Sequence, residues 1–307
     1  MKRALCQALL DLCADPDFIF LTGDLGYNAL EPLRDALGDR FVNAGVAEQN
    51  MVGVAAGLAR AGYRPWAYSI APFLYARAYE QIRNDVCGQH LPVKFVGNGG
   101  GYGYGAQGGT HHALEDYGAL LCLQGMRAFV PAFADDVGPA VRQLHRLPNP
   151  AYLRLGLSEA PRDYVVPAYA PWRRLFGGGG PIVLAVGPIA GTLIEPLSQL
   201  DEPSRPSLWV LAELPLDDVP EQFLADLRRA GHLLVVEEHV VQGGAGQMLA
   251  HWLLARGLAP RRFSHRAALG YVSGLYGSQK YHRRECGLDP ASVLAAVLGA
   301  ADLPAQK

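Results

Sequence analysis

Short, unbroken apolar runs alternate along this 307-residue chain with stretches whose apolar positions recur at helical spacing. Phe18-Ile-Phe-Leu21 has the continuous hydrophobicity of a strand buried on both faces, and Phe41-Val42, Pro65-Trp-Ala-Tyr68 and Val93-Lys-Phe-Val96 carry further strand signals. Between them, Leu5 to Leu12, Ala44 to Gly62, Pro72 to about Cys87, and Leu114 to Leu123 predict helices, and Arg127 to Pro131 and Ala151 to Leu155 close the series. From Glu159 to Gly180 the periodicity fails, and prolines at 161, 167 and 171 followed by Gly177 to Gly180 predict an interdomain linker. A second series follows, with Ile182 to Val186, Leu208 to Leu211 and Leu233 to Val236 as strands and a helix around Ala291 to Leu298. The expectation is an α/β protein of two domains, 1–160 and 181–307, joined by a linker over 161–180. Each is a mostly parallel sheet covered by helices. On such sheets ligands bind beyond the carboxyl ends of the strands, so the loops there are the places to search.

One position stands out against this pattern. Glu48 lies in the run Phe41-Val-Asn-Ala-Gly-Val-Ala-Glu-Gln-Asn-Met-Val-Gly-Val-Ala-Ala-Gly-Leu-Ala59, a lone carboxylate among small apolar residues. Burying such a group costs stability unless it has a partner. The alternative is that Glu48 merely sits in a first helical turn, where the macrodipole favours acids.

Composition narrows the function classes. A formal net charge of −2 carries no nucleic-acid footprint, and the basic pairs Arg173-Arg174, Arg261-Arg262 and Arg283-Arg284 fit solvated faces. Five cysteines without a Cys-x-x-Cys pair suit free thiols in a reducing compartment and argue against a disulfide framework or a zinc site. No signal peptide or membrane span is visible, so the expectation is a cytoplasmic protein. Eight of the thirteen residues 97–109 are glycine. The Gly-x-Gly-x-x-Gly match at 103–108 is therefore weak as a dinucleotide fingerprint, and the loop reads as backbone turning sharply next to a ligand.

Three segments together resemble the transketolase-like thiamine diphosphate enzymes: the Glu48 run, Ser69-Ile-Ala-Pro-Phe-Leu-Tyr-Ala-Arg-Ala-Tyr-Glu-Gln-Ile-Arg-Asn-Asp85, and Gly105-Ala-Gln-Gly-Gly-Thr-His-His112. Val236-Glu-Glu-His-Val-Val-Gln-Gly-Gly-Ala-Gly246 and the Gly277-Ser-Gln segment resemble the same family's C-terminal domain. The resemblance runs through nearly the whole chain in family order. It implies that Glu48 hydrogen-bonds the cofactor's aminopyrimidine, that Phe73 stacks on that ring with Tyr79 walling it, and that Asp24 lies near the cofactor. Asp24 is equally a turn former in Gly-Asp-x-Gly. Tyr79, like any aromatic on such a helix, is equally plain core. The resemblance further places His111 at the reactive carbon and the substrate oxygens, where an imidazole can donate to a developing alkoxide. His112 follows immediately and Gln107 precedes it in the same loop, both candidate substrate contacts; adjacent histidines at a helix start are equally caps or solvent-facing residues. Arg154 matches an arginine that binds the substrate phosphate, and Arg77 is a second candidate; either is equally a surface ion-pair residue.

Two departures bear on specificity. Gln107 stands where sugar-phosphate transketolases carry an acid, and Gly99 where they carry a histidine. A third departure bears on assembly: Gly23-Asp24-Leu25 breaks the family's Gly-Asp-Gly motif and no paired asparagines follow, so the diphosphate-binding half and its Mg²⁺ ligands are missing. The expectation is one subunit of a split transketolase, moving a two-carbon ketol unit between sugars, modified or nucleotide-linked sugars among them. It would be active only with a partner that holds the diphosphate and metal, in an α2β2 assembly, with no metal ligands of its own. The alternatives are a deoxyxylulose-phosphate synthase-like or 2-oxo acid dehydrogenase beta-like subunit using a 2-oxo acid donor, and a non-catalytic scaffold or regulatory subunit. A nicotinamide-dinucleotide reading ranks last.

Overall fold

The computed structural model describes residues 1–299. Among these residues twelve strands are present: β1 Phe18–Thr22, β2 Phe41–Asn43, β3 Arg64–Ile70, β4 Lys94–Asn98, β5 Arg127–Phe129, β6 Ala151–Leu155, β7 Trp172–Phe176, β8 Ile182–Val186, β9 Ser207–Leu211, β10 Glu213–Leu214, β11 His232–Glu237 and β12 Arg262–Arg266. The helices are α1 Lys2–Leu10, α2 Glu31–Leu37, α3 Glu48–Arg60, α4 Ala71–Tyr75, α5 Tyr79–Gln81, α6 Asp116–Leu121, α7 Val137–Arg146, α8 Ile189–Ser198, α9 Glu221–Ala230, α10 Ala245–Leu254, α11 Gln279–Glu285 and α12 Pro290–Val297. They cover two sheets, so the chain is a two-domain α/β protein.

The first sheet has the order β10-β5-β6-β4-β3-β1-β2, parallel throughout except at β10, and the second has the order β12-β11-β8-β9-β7, parallel except at β7. Parallel strands covered on both faces must be apolar on both. Accordingly β1, β4, β6 and β8 are buried at every position. Phe18, Phe20 and Trp66 are wholly buried beneath α1 and α7, each contributing about 1.5–3 kcal/mol of transfer free energy.

The structure departs from the sequence reading in four places. The segment 161–180 is not irregular throughout, because Trp172–Phe176 forms the edge strand β7, antiparallel to β9. The helix expected over 72–87 is broken into α4, α5 and a π-helical segment Ile82–Cys87. The Glu48 helix begins at Glu48 itself, since Gly45 has φ +70° and Ala47 is the N-cap. Finally, two arginines of the basic pairs are buried: Arg173 donates to Asp136 at 2.5 Å and Arg283 to Glu238 at 2.7 Å. Their acidic partners lie far away in sequence, which a local charge pattern cannot reveal.

The two sheets are docked by the acidic end of β11. Glu237 is fully buried and accepts from the backbone of Ala245 and Gly246 at the start of α10, from the Tyr117 hydroxyl, and pairs with His265 at 2.6 Å. Burial alone would push its carboxyl up, but His265, the nearby His239 and Tyr117 hold it below its ordinary value. Glu238 accepts from the Tyr102 amide at 2.5 Å and from Gln279 and Arg283. Tyr117 stacks on His239 at 3.9 Å, so side chains of both domains interleave.

Candidate active site

Sheet order decides what meets at the carboxyl edge. Strands β4, β3, β1 and β2 are neighbours, so the loops after them converge. They carry, in turn, the glycine loop with His111, the Phe73 helix, Asp24 and Glu48.

Glu48 is only 3% exposed and is the first residue of α3, where the helix dipole favours an acid. Its Oε2 accepts from Arg77 Nη1 at 3.0 Å. The buried Ser69 hydroxyl lies 3.4 Å from Oε1, beyond the length of a strong O–H···O bond. Phe73 follows Pro72 in the first turn of α4, and its half-buried ring carries the Arg77 guanidinium 4.1 Å from its centroid. His111 meets the same ring edge-on at 5.0 Å and faces Tyr104 at 5.8 Å. Its Nδ1 is held by the Thr110 hydroxyl at 2.9 Å. The structure thus brings Glu48, Phe73, Arg77 and His111 into one continuous wall.

Asp24 lies on the rim. It has φ +57° and exchanges hydrogen bonds with Asn43, whose side-chain amide donates to it at 2.9 Å and whose carbonyl oxygen accepts from its backbone amide at 3.0 Å. The turn-former role is therefore real. Gln107 is exposed in the short 3₁₀ turn Gly105–Gln107. Tyr79 packs on the core and donates its hydroxyl to the Ala119 carbonyl.

Two candidates are engaged elsewhere. Arg154 is 3% exposed; its Nε donates to Asp116 at 2.8 Å, its Nη2 to the carbonyls of Ala113 and Glu238, and its guanidinium lies 5.1 Å from the Tyr117 centroid. His112 is buried between the domains. Its Nε2 meets the Gly105 carbonyl at 2.7 Å, which can only accept, so Nδ1 is left to accept from the Tyr271 hydroxyl at 2.9 Å. That pairing describes a neutral ring, and burial pushes its pKa below the ordinary 6.5. Burial moves His239 and His282, in the same interface, the same way. The unfolded chain takes up protons near 6.5 that the folded chain refuses, so stability falls as pH drops through that value, by up to about 1.4 kcal/mol per unit per histidine. Denaturant midpoints measured at about pH 7.5 and 5.5 should fall with acid, and less so in His112→Gln. Equal shifts in parent and variant would remove His112 from the account.

Tyr104 joins the site without a counterpart in the sequence reading. Its hydroxyl accepts from the Asn98 side-chain amide at 2.6 Å, and a Cβ on Gly99, which has φ +81°, would overlap its ring. Gly99 is glycine because this phenol fills the space. The available signal was Asn98, a polar residue at the carboxyl end of a strand buried at every position.

Residues 3–161 match the family described as transketolase, pyrimidine binding domain. An apulose-4-phosphate transketolase subunit of Actinobacillus succinogenes is 29% identical, with 88% of this chain and 87% of that protein covered. The 1-deoxy-D-xylulose-5-phosphate synthase of Myxococcus xanthus is 30% identical over 97% of this chain, which spans about half (51%) of that protein's length. Among solved structures, a split gene transketolase described as an inactive beta4 tetramer superposes with TM-score 0.80 at 29% identity, covering 97% of this chain and 96% of the other. The transketolase of Leishmania mexicana shares the fold, with TM-score 0.76 at 17% identity, covering 98% of this chain and 46% of that one.

Proposed function

Because this chain belongs to the transketolase pyrimidine-binding family, we propose that it is one subunit of a split, thiamine diphosphate-dependent transketolase. The observation that carries the reading is the Glu48–Phe73 pair: a buried carboxylate beside an aromatic face that already accommodates a flat N–C–N group, the guanidinium of Arg77. An aminopyrimidine needs that same pair of contacts, so the residues present fit the ring end of the cofactor. Similarity to relatives that are themselves parts of split enzymes, and whose lengths this chain nearly matches, supports the split arrangement.

Thiamine diphosphate, when bound, supplies the carbanion chemistry. This chain's residues would do the rest. Glu48, held dry, shares a proton with a pyrimidine nitrogen. Phe73 fixes the plane of the ring. His111, its Nδ1 held by Thr110, presents Nε2 to the substrate oxygens. Asp24 and the Asn43 amide shape the rim, and Tyr79 supports the wall from the core side. Arg77 and Gln107 are the exposed polar groups that face a substrate, with Arg77 the anion contact. His112 supports the glycine loop from the side of the second domain. Arg154 acts through Asp116 and the loop rather than on the substrate.

The Mg²⁺ and diphosphate ligands are assigned to a separate partner chain because Gly23-Asp24-Leu25 departs from the family's Gly-Asp-Gly motif and no paired asparagines follow it. Tyr27 and Val46, on the loops of Asp24 and Glu48, are 73% and 77% exposed, as an unpaired interface would be. A tagged chain isolated under mild conditions is expected to bring down one stoichiometric partner together with thiamine diphosphate. Tight Mg²⁺-dependent cofactor binding by the chain alone would overturn the split arrangement. Release of CO₂ from a 2-oxo acid donor by the assembled enzyme would favour the deoxyxylulose-phosphate synthase-like reading, which the second set of relatives keeps open.

A further inference from the structure

Arg77 makes both contacts that an incoming aminopyrimidine would need. It lies four residues after Phe73, in the turn between α4 and α5, and its guanidinium carbon lies 4.1 Å from the ring centroid. From there Nη1 donates to Glu48 Oε2 at 3.0 Å. A guanidinium is itself a flat N–C–N group with N–H donors along its edge and an affinity for aromatic faces. While it is seated, no second planar group can stack on Phe73 and reach Glu48.

We propose that Arg77 is an internal ligand of the cofactor pocket, a placeholder that pairs Glu48 in the unloaded chain and must swing out before the pyrimidine enters. This rests on the cofactor reading of Glu48 given above. The asymmetry of the pair suits such a device. The Glu48 side chain is 3% exposed and its charge is costly to leave unpaired, while the Arg77 side chain is 48% exposed and free to move into solvent. The pair is therefore weak enough to be displaced and still offsets the burial of the carboxylate when nothing else does. Once displaced, Arg77 stands at the mouth of the cleft, where an anionic substrate group would meet it.

A competitor of this kind has a signature opposite to that of an ordinary contact: its removal tightens binding. The full chain is titrated by calorimetry with 4-amino-5-hydroxymethyl-2-methylpyrimidine, the ring of the cofactor as a free alcohol. Arg77→Ala is expected to bind it about five- to twentyfold more tightly than the parent, the factor by which the seated guanidinium reduces the open fraction. Arg77→Lys keeps the charge without the planar fork and should fall between the two, providing a second reading if Arg77→Ala folds poorly. Glu48→Gln should weaken binding in either background. Equal or weaker affinity in both Arg77 variants overturns the placeholder. If Glu48→Gln still lowers affinity in that case, the cofactor reading survives without it. Absence of binding to every variant takes down both.

Discussion

Glu48→Gln is expected to lower the turnover of the assembled enzyme by about 10²- to 10⁴-fold, the usual worth of a positioned proton-transfer group. The substitution keeps the shape of the side chain and its place at the start of α3, so the fold should be almost untouched. What it removes is the group that can take and return a proton at the pyrimidine. Arg77 cannot substitute, because a guanidinium stays protonated throughout. The comparison is made at equal cofactor occupancy, checked by calorimetry, so that a binding defect is not mistaken for a catalytic one. A Glu48→Gln protein as active as its parent would revive the non-catalytic scaffold.

Arg154→Met should cost about 3–5 kcal/mol of stability, because removing one partner of a buried ion pair leaves the other uncompensated. The partner is Asp116, wholly buried, with Oδ2 shared between Arg154 and the Tyr152 hydroxyl and Oδ1 without a hydrogen bond. The same guanidinium reaches carbonyls on both sides of the domain junction, at Ala113 and Glu238. Denaturant unfolding of the full chain measures the loss directly. A variant as stable as the parent, in an enzyme whose KM for a phosphorylated substrate has risen, would return Arg154 to the substrate-binding role that the resemblance implies.

These two residues also mark how far the sequence could be read. The parallel strands were legible because burial on both faces writes them as unbroken apolar runs, as in Phe18 to Leu21 and Ile182 to Val186. Glu48 was legible for the converse reason, a charge where the pattern has none. Trp172–Phe176 was not, since an edge strand set between prolines and glycines and carrying two arginines has neither run nor alternation. Nor were the partners of Arg154 and Arg77, which lie 38 and 29 residues away and are chosen by tertiary packing. The adjacent acids Glu237 and Glu238 were visible as part of a family-like segment. Their work as the clasp between the sheets rests on Tyr102, Tyr117, His265 and Arg283, which only the fold assembles.

Strand β10 has a bearing on how this protein can be handled. Glu213 and Leu214 come from the C-terminal half of the chain, yet they pair antiparallel with Phe129 and Ala128 and finish the edge of the first sheet. Any fragment that stops after β6, however natural a stopping point the proline-rich stretch suggests, would leave β5 with an uncovered row of amide and carbonyl groups, an invitation to edge-to-edge aggregation. Attempts to express the N-terminal half alone, or to graft it onto another C-terminal half, should therefore fail for want of two residues that a map drawn in sequence order assigns to the other side.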